Sequence, residues 1–481
     1  MVGRKVKLWF WHPLKLYQRG NKPLKHLSLF DRRRCVMLVS VTMSLLIPPL
    51  PRSSKVNATG RLEVAGCDVV ELATEFGTPL FIYDEQEIRD RCRAYMEAFS
   101  TRSSNFEVIY ASKAFSCIAI CQLMAAEGLS LDAASGGELY TALTAWFPPE
   151  KIFLHGNANT AGELELALRS EVGHIVIDSM DEMMELDRIA ARRGRRQQVL
   201  LRITPGIEAH THDFIQTGKL DSKFGFALAE GVALDAVAAA KKAGSLDLVG
   251  IHAHIGSQIF SLEPYRQTAA RLADFLAAAR EKHGFDCRLL DLGGGLGAVY
   301  GPDDDPPPVD RLAEAIVSSV EAEMARVELP PPRIAVEPGR SIVANAGLTA
   351  YEVETVKTVA GLRNFVAVNG GMSDNLRPML YGAVYQALIA GRPLAEPTIT
   401  AAIAGKHCES GDILVNEASL PGPVPGDILV TAATGAYGYS MANNYNGQPR
   451  PAVIFVKDGN AQVVIKRESY EDLVHLQEKL E

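Results

Sequence analysis

The sequence predicts an α/β fold: a (β/α)8, TIM-like barrel followed by a mostly β C-terminal domain. Three observations predict it. From about residue 105 to Gly339, short apolar, β-branched runs alternate with amphipathic stretches rich in Ala, Glu and Leu. The alternation delivers eight runs within about 235 residues, the size of an eight-fold barrel. Beyond Gly339 the helix-like stretches cease and Gly/Pro turns punctuate strand-like runs.

Residues 1–55 carry twelve Lys/Arg and one acid, Asp31, then turn apolar from Cys35 to Leu50. That run contains Ser40, Thr42, Ser44 and two prolines, and falls short of the ~20 apolar residues that cross a bilayer. No membrane association is expected. Basic followed by apolar is also the order of a targeting presequence, so an organellar presequence stays open, as does a start at Met37 or Met43. The segment is read as an extension outside the fold. Runs at 61–65 and 79–83 read as strands, and 56–83 is expected to join the later β domain. The barrel is assigned to 84–340. Its strands are expected at 106–112, 129–135, 151–157, 174–179, 199–205, 248–256, 288–294 and 333–339, with helices near 114–128, 136–147, 161–172, 181–194, 228–243, 263–284 and 309–327. Such alternation argues for parallel strands joined by crossover helices. A doubly wound open sheet satisfies the same count, because counting does not show closure. The β domain, 341–481, is expected to hold strands at 348–359, 364–369, 397–404, 427–433, 452–457 and 462–467.

The formal net charge is −8, but residues 56–481 hold 37 basic and 56 acidic side chains, a balance of −19. A body this acidic is a poor general binder of nucleic acid. Seven cysteines without a CxxC pair fit a reducing compartment, and a cytoplasmic location is expected.

Polar residues cluster where the barrel strands end, the rim on which barrels build active sites. Lys113, in YASKAF, follows the first strand; burial lowers a lysine's proton affinity and makes the amine a nucleophile able to form a Schiff base. Position alone also allows a solvated lysine opening a helix. In GIHAHIGSQ, His252 and His254 share a strand face, and His210 and His212 lie in EAHTHD. No nearby carboxylate completes a ligand set there, so no metal is expected. A neutral imidazole against a flat cofactor and a satisfied core histidine both remain readings. LDLGGGLG ends the seventh strand, and its glycines let backbone N–H groups approach an anion. AVEPGR ends the eighth and places Glu337 at the barrel mouth, where a carboxylate keeps a pyridine nitrogen protonated. KHCESGD sets Cys408 beside Glu409; a cysteine serves as a proton donor or as a small buried thiol.

Lysine after strand one, histidine at strand six, glycines after seven and Glu-Pro-Gly-Arg after eight arrive in order. With LDAASGGEL, HGNANT, DSKFGF, NGGMSDNLRPMLYGA and GAYGYSMANNYN they make the chain resemble the alanine-racemase-like, fold-type III pyridoxal-phosphate decarboxylases, from about Gly60 to near the C-terminus. The resemblance implies pyridoxal 5′-phosphate on Lys113, with His254 stacked on the ring. Ser257, Gly293, Gly294, Gly295, Gly339 and Arg340 would hold the phosphate, and Glu337 the pyridine nitrogen. Arg340, Arg377 and Tyr381 would grip a distal carboxylate of the substrate. Glu409, with Ser410 beside it, would take a distal amine, and Tyr437 would reach cofactor and substrate. It further implies a homodimer in which Cys408 serves the neighbouring subunit's site as proton donor. The implied reaction is decarboxylation of meso-2,6-diaminopimelate to L-lysine, the last step of lysine biosynthesis. Phe115, the Ala158–Asn159 pair and Asn369 depart from the group's commoner residues. Related decarboxylases of ornithine, arginine or carboxynorspermidine, a racemase, and a catalytically silent binding protein are the rival readings. Glu337 speaks against the racemase, because racemases of this fold favour Arg there.

Overall fold

The computed structural model describes residues 49–207 and 223–481. His210 and His212 lie outside the described residues, as do the first two residues of the DSKFGF motif. Eight parallel strands appear where the alternation placed them: β1 (Phe106–Ala111), β2 (Ser130–Ala133), β3 (Ile152–Leu154), β4 (His174–Ile177), β5 (Gln197–Thr204), β6 (Leu246–His252), β7 (Leu289–Asp291) and β8 (Arg333–Val336). Each pairs with the next, and β8 pairs back onto β1 with Ile334 opposite Phe106, so the sheet is a closed barrel rather than an open one. The crossover helices explain the unbroken apolar runs, since such strands are covered on both faces.

The period of two along each strand positions the site. Ile109, Phe153, Val176, Leu200, Val249, Leu289 and Ala335 form a separate buried cluster, one residue from each strand except β2. That cluster is the apolar plug of the barrel. Two residues further along, the same parity brings His155, Asp178, Arg202, Asp291 and Glu337 to the C-terminal rim. In β6 the register shifts between Leu248 and Gly250, which sets His252 level with Arg202 and Asp291.

The second layer is a sheet in the order 413–420, 399–404, 363–368, 347–359, 80–84, 452–457, 460–465. Gly347–Val359 is its long central strand, and Leu80–Asp84 pairs with it antiparallel, Gly347 opposite Tyr83. The segment expected as a strand at 61–65 does not enter this sheet. Leu62–Val64 pairs with Lys55–Val56 and Cys67–Asp68 in a small sheet of its own. Residues 52–55, expected outside the fold, are tied to it: Arg52 N–H donates to Glu87 at 2.7 Å and Lys55 pairs with Glu63.

Two of the longer helices were not anticipated. Val69–Phe76 is capped by Asp68, and Glu85–Ser100 by Asp84, which accepts from the Glu87 N–H. The second turns Ile88, Cys92, Tyr95 and Phe99 inward at helical spacing. The 21-residue helix Glu263–His283 is too polar for a bilayer, and among the described residues no helix is long and apolar enough to cross a membrane.

Candidate active site

β1 ends in a single tight turn, Ser112–Ala114, so Lys113 leaves the strand at the rim. Two bonds hold that turn from the β domain: Tyr437 N–H donates to the Ala114 carbonyl at 2.7 Å, and the Ser440 hydroxyl to the same oxygen at 3.2 Å. Phe115 is buried and stacks on Tyr83 at 4.5 Å, within a seam that includes Phe455 and Tyr439. The departure at 115 therefore seals the joint between the two layers. Asn159 donates to Glu182 at 2.7 Å, and Asn369 donates to Thr78 Oγ1 at 2.7 Å, so the other two departures also have structural partners.

Lys113 faces a cavity of about 990 Å³, also lined by His254, Ser257, Glu337, Arg340, Arg377, Tyr381 and Tyr437 among the residues the sequence singled out. The lysine Nζ lies 3.7 Å from Asp132 Oδ2. Burial pulls the amine down, but Asp132, then Tyr437 and Glu337, outweigh it and hold Lys113 above its ordinary value. The expectation of a lysine with lowered proton affinity is therefore corrected: its carboxylate neighbour keeps it protonated.

Glu337 is 3% exposed. Its Oε2 lies 3.3 Å from His252 Nε2, and its Oε1 lies 3.0 Å from His155 Nε2, a contact out of hydrogen-bond alignment. Burial opposes ionisation, but His155 and His252 outweigh it and hold Glu337 well below the usual carboxylate range. His155 is raised because Asp132 and Glu337 overcome its burial, whereas burial takes His252 down to about 4. The carboxylate is thus paired with one cationic and one neutral imidazole. Asp291, behind them, is pushed well above its ordinary value by burial and by Glu337, and accepts from the Gly293 N–H at 2.8 Å. His155, His252 and Glu337 also come within 4.8 Å of one another in the manner of metal ligands. The sequence reading found no carboxylate near His252; closure of the barrel supplies one.

His254 is driven well below its ordinary value, first by burial and then by Lys113, and its Nδ1 accepts from the Gly294 N–H at 3.2 Å. Gly293 and Gly295 have φ of +66° and +113°, and a Cβ on Gly294 would lie 2.1 Å from the Glu337 carbonyl oxygen. No side chain fits in that turn. Gly293–Gly295 and Gly339 stand behind the cavity wall rather than on it, with Gly339 against Ala111 and Ala114.

At the other end, buried Arg340 donates to Ser257 at 3.1 and 2.9 Å and to the Tyr300 hydroxyl at 2.7 Å. Arg377, also buried, donates to the Tyr385 hydroxyl and lies 5.0 Å over the Tyr300 ring. Among the described residues no carboxylate pairs with either guanidinium. Cys408, Glu409 and Ser410 sit elsewhere, exposed on the loop between Ile399–Ala404 and Ile413–Leu420, and line no part of this cavity. Sequence reasoning missed Asp132, His155, Arg202, Asp291 and Tyr300. The parity of the barrel strands carried a signal for the first four.

A pyridoxal group fits these residues. Glu337 Oε1 and both Asp132 oxygens accept no hydrogen bond within the protein, the glycine turn puts no side chain in the way, and the Lys113 amine lies 3.7 Å from Asp132 Oδ2.

The family model described as the pyridoxal-dependent decarboxylase, pyridoxal binding domain, matches residues 85–344. The chain is similar to diaminopimelate decarboxylase of Bacillus methanolicus, 47% identical over 86% of this chain and 96% of that one, and to that of Bacillus subtilis, 47% identical over 88% and 97%. Among solved structures it resembles diaminopimelate decarboxylase from M. jannaschii in complex with L-lysine, with a TM-score of 0.83 at 32% identity, covering 89% of this chain and 98% of that one.

Proposed function

The chain belongs to the pyridoxal-dependent diaminopimelate decarboxylases, and from that membership we infer how its residues divide the work of converting meso-2,6-diaminopimelate to L-lysine and CO2, the last step of lysine biosynthesis. The observation that carries the division is the pair of buried guanidiniums, without a carboxylate partner among the described residues, facing the same cavity as Lys113 and Glu337.

Pyridoxal phosphate supplies, when bound, a ring that withdraws the electron pair left at the α-carbon as CO2 departs. Lys113 would be its point of attachment, and Asp132, 3.7 Å away, holds the proton on the amine. Glu337, kept ionised by His155, would hold a proton on the ring nitrogen. Neutral His254, on the cavity wall, would pack against the ring and exclude water. Ser257 and Arg340 would hold the phosphate, the latter by a charge-assisted fork, with Gly293, Gly294, Gly295 and Gly339 as the side-chain-free backing that lets it approach. Arg340, Arg377 and Tyr381 receive the substrate's distal carboxylate, with Tyr437 closing over cofactor and substrate.

Cys408 lies outside its own chain's cavity, which supports a homodimer in which Cys408, Glu409 and Ser410 complete the partner's site. There Cys408 protonates the α-carbon, Glu409 takes the distal amine and Ser410 lies beside it. Residues 84–340 act as the cofactor-binding barrel; 341–481, joined by 56–83, form the β domain that presents these loops. Free thiols at the six cysteines among the described residues agree with a cytoplasmic setting.

The experiment is CO2 release from meso-diaminopimelate, ornithine, arginine and carboxynorspermidine with added cofactor. Release from diaminopimelate at least a hundredfold above the others is expected. Equal release from ornithine would remove the role given to Arg377.

A further inference from the structure

Tyr300 has no place in the reaction as divided above, yet it stands at the centre of the carboxylate end of the cavity. It follows the glycine turn after β7 and is 7% exposed. Its hydroxyl oxygen takes the Arg340 Nη1–H at 2.7 Å. Its ring lies under the Arg377 guanidinium at 5.0 Å and meets the Tyr385 ring edge-on at 5.5 Å. Two buried cations thus converge on one phenol, with no carboxylate among the described residues to neutralise them. Bringing two like charges out of water is costly, and this phenol is the ionisable group that meets both of them, while the phosphate assigned to Arg340 would offset only that one cation.

We propose that Tyr300 is the counter-ion of the Arg340–Arg377 pair before substrate binds, and that it yields this role to the substrate's distal carboxylate, taking one proton from solvent as it does so. The step makes and breaks no bond to carbon. A phenolate oxygen gains a proton, the incoming carboxylate keeps its charge, and the net charge around the pair of arginines is unchanged. Tyr300 is a positioning residue in this account. It holds the two forks apart and oriented, and it makes affinity for a distal carboxylate depend on pH. A substrate with only a distal amine would leave the phenolate in place and bury its ammonium against two arginines. The proposal rests on the assignment of Arg340 and Arg377 to the distal carboxylate.

The two charged side chains that meet the phenol itself are both cationic. Arg340 reaches it from the segment after β8; Arg377 and Tyr385 come from the β domain. Tyr437 lies beyond Arg340, whose guanidinium stands 4.8 Å over its ring. On Tyr300's own loop, the Asp304 carboxylate is engaged by the backbone N–H groups of Tyr300 and Gly301 at 2.8 and 3.0 Å. Burial alone would raise the phenol, but Arg340 and Arg377 outweigh it and hold Tyr300 below its ordinary value. Tyr385, which shares Arg377, stays above its ordinary value because burial prevails there. Of the two phenols, the one that meets both cations is the one held down.

Heptanedioate, the same seven-carbon dicarboxylate without amines, is the probe, because its own groups do not titrate above about pH 6. Its inhibition constant against the holoenzyme is measured from about pH 7 to 9.5, and its binding is followed by calorimetry in two buffers of different ionisation enthalpy. Uptake approaching one proton per bound molecule is expected at the alkaline end. The inhibition constant should rise toward tenfold per pH unit there, the limit for one linked proton. Tyr300→Phe should abolish both the proton uptake and the slope. No uptake in the unaltered enzyme, or the same uptake in the Phe variant, overturns the proposal. Arg377→Ala separates this from the reading beneath it. If Arg377→Ala leaves the inhibition constant unchanged, the carboxylate assignment itself fails. If it weakens binding tenfold or more while Tyr300→Phe keeps its uptake, the assignment stands and only the role of Tyr300 falls.

Discussion

Replacing His155 with Leu removes the cation that keeps Glu337 ionised. The pair sits 3.0 Å apart with both side chains buried. At an effective dielectric near 20, two unit charges at that distance attract by about 5 kcal/mol, and breaking a buried pair by deleting one partner costs about 3–5 kcal/mol. For a barrel of this size about 2 °C accompanies each kcal/mol, so the midpoint of thermal unfolding should drop by roughly 6–10 °C. The loss depends on pH in a defined direction. Glu337 is depressed in the fold, so its contribution is complete above its unfolded value near ~4.3 and disappears as pH falls through the lower folded value. His155 is raised, so its contribution is complete below about 6.5 and disappears as pH rises through the higher folded value. The gap between the parent and His155→Leu should therefore be widest between about pH 4.5 and 6.5 and narrow in alkali. Circular dichroism melts from pH 5 to 9 read it directly. Midpoints within about 2 °C of each other at pH 6 would refute the ion pair as the source of Glu337's charge.

Asp291→Asn should keep most of the activity and stability, because burial and Glu337 already favour the protonated acid and the amide preserves its acceptor for the Gly293 N–H; a hundredfold loss of kcat would mean that Asp291 works as an anion. Gly294→Ala should abolish cofactor absorbance, since its methyl would press at 2.1 Å on the Glu337 backbone; a normal spectrum would show that the turn yields. Mixing Lys113→Ala chains with Cys408→Ala chains should restore about a quarter of the parent's activity: half the dimers are mixed, and each holds one intact site. No rescue would argue against the shared site.

The barrel was legible because its strands are covered on both faces and read as unbroken apolar runs. Glu85–Ser100 was not, because it precedes the first strand and so lies outside the alternation that identified the other helices. Ile413–Leu420 was missed because Asn416 and Glu417, both exposed, interrupt its apolar residues. Within the site, Lys113 and Glu337 were readable as polar residues that end strands. His155 and Asp291 obey the same parity, but their roles appear only when closure sets them beside Glu337. Tyr300 follows an irregular turn, where no periodicity states which way a side chain faces. The Cys408 loop could not be placed from one chain's geometry, since within that chain it reaches no cavity.

The most direct test of the whole account is where the cofactor is attached. Borohydride reduction of the pyridoxal-loaded enzyme, followed by peptide mapping, should place the reduced pyridoxyl group on Lys113 in the YASKAF peptide. Recovery of that group on any other lysine, with Lys113 unmodified, would contradict it.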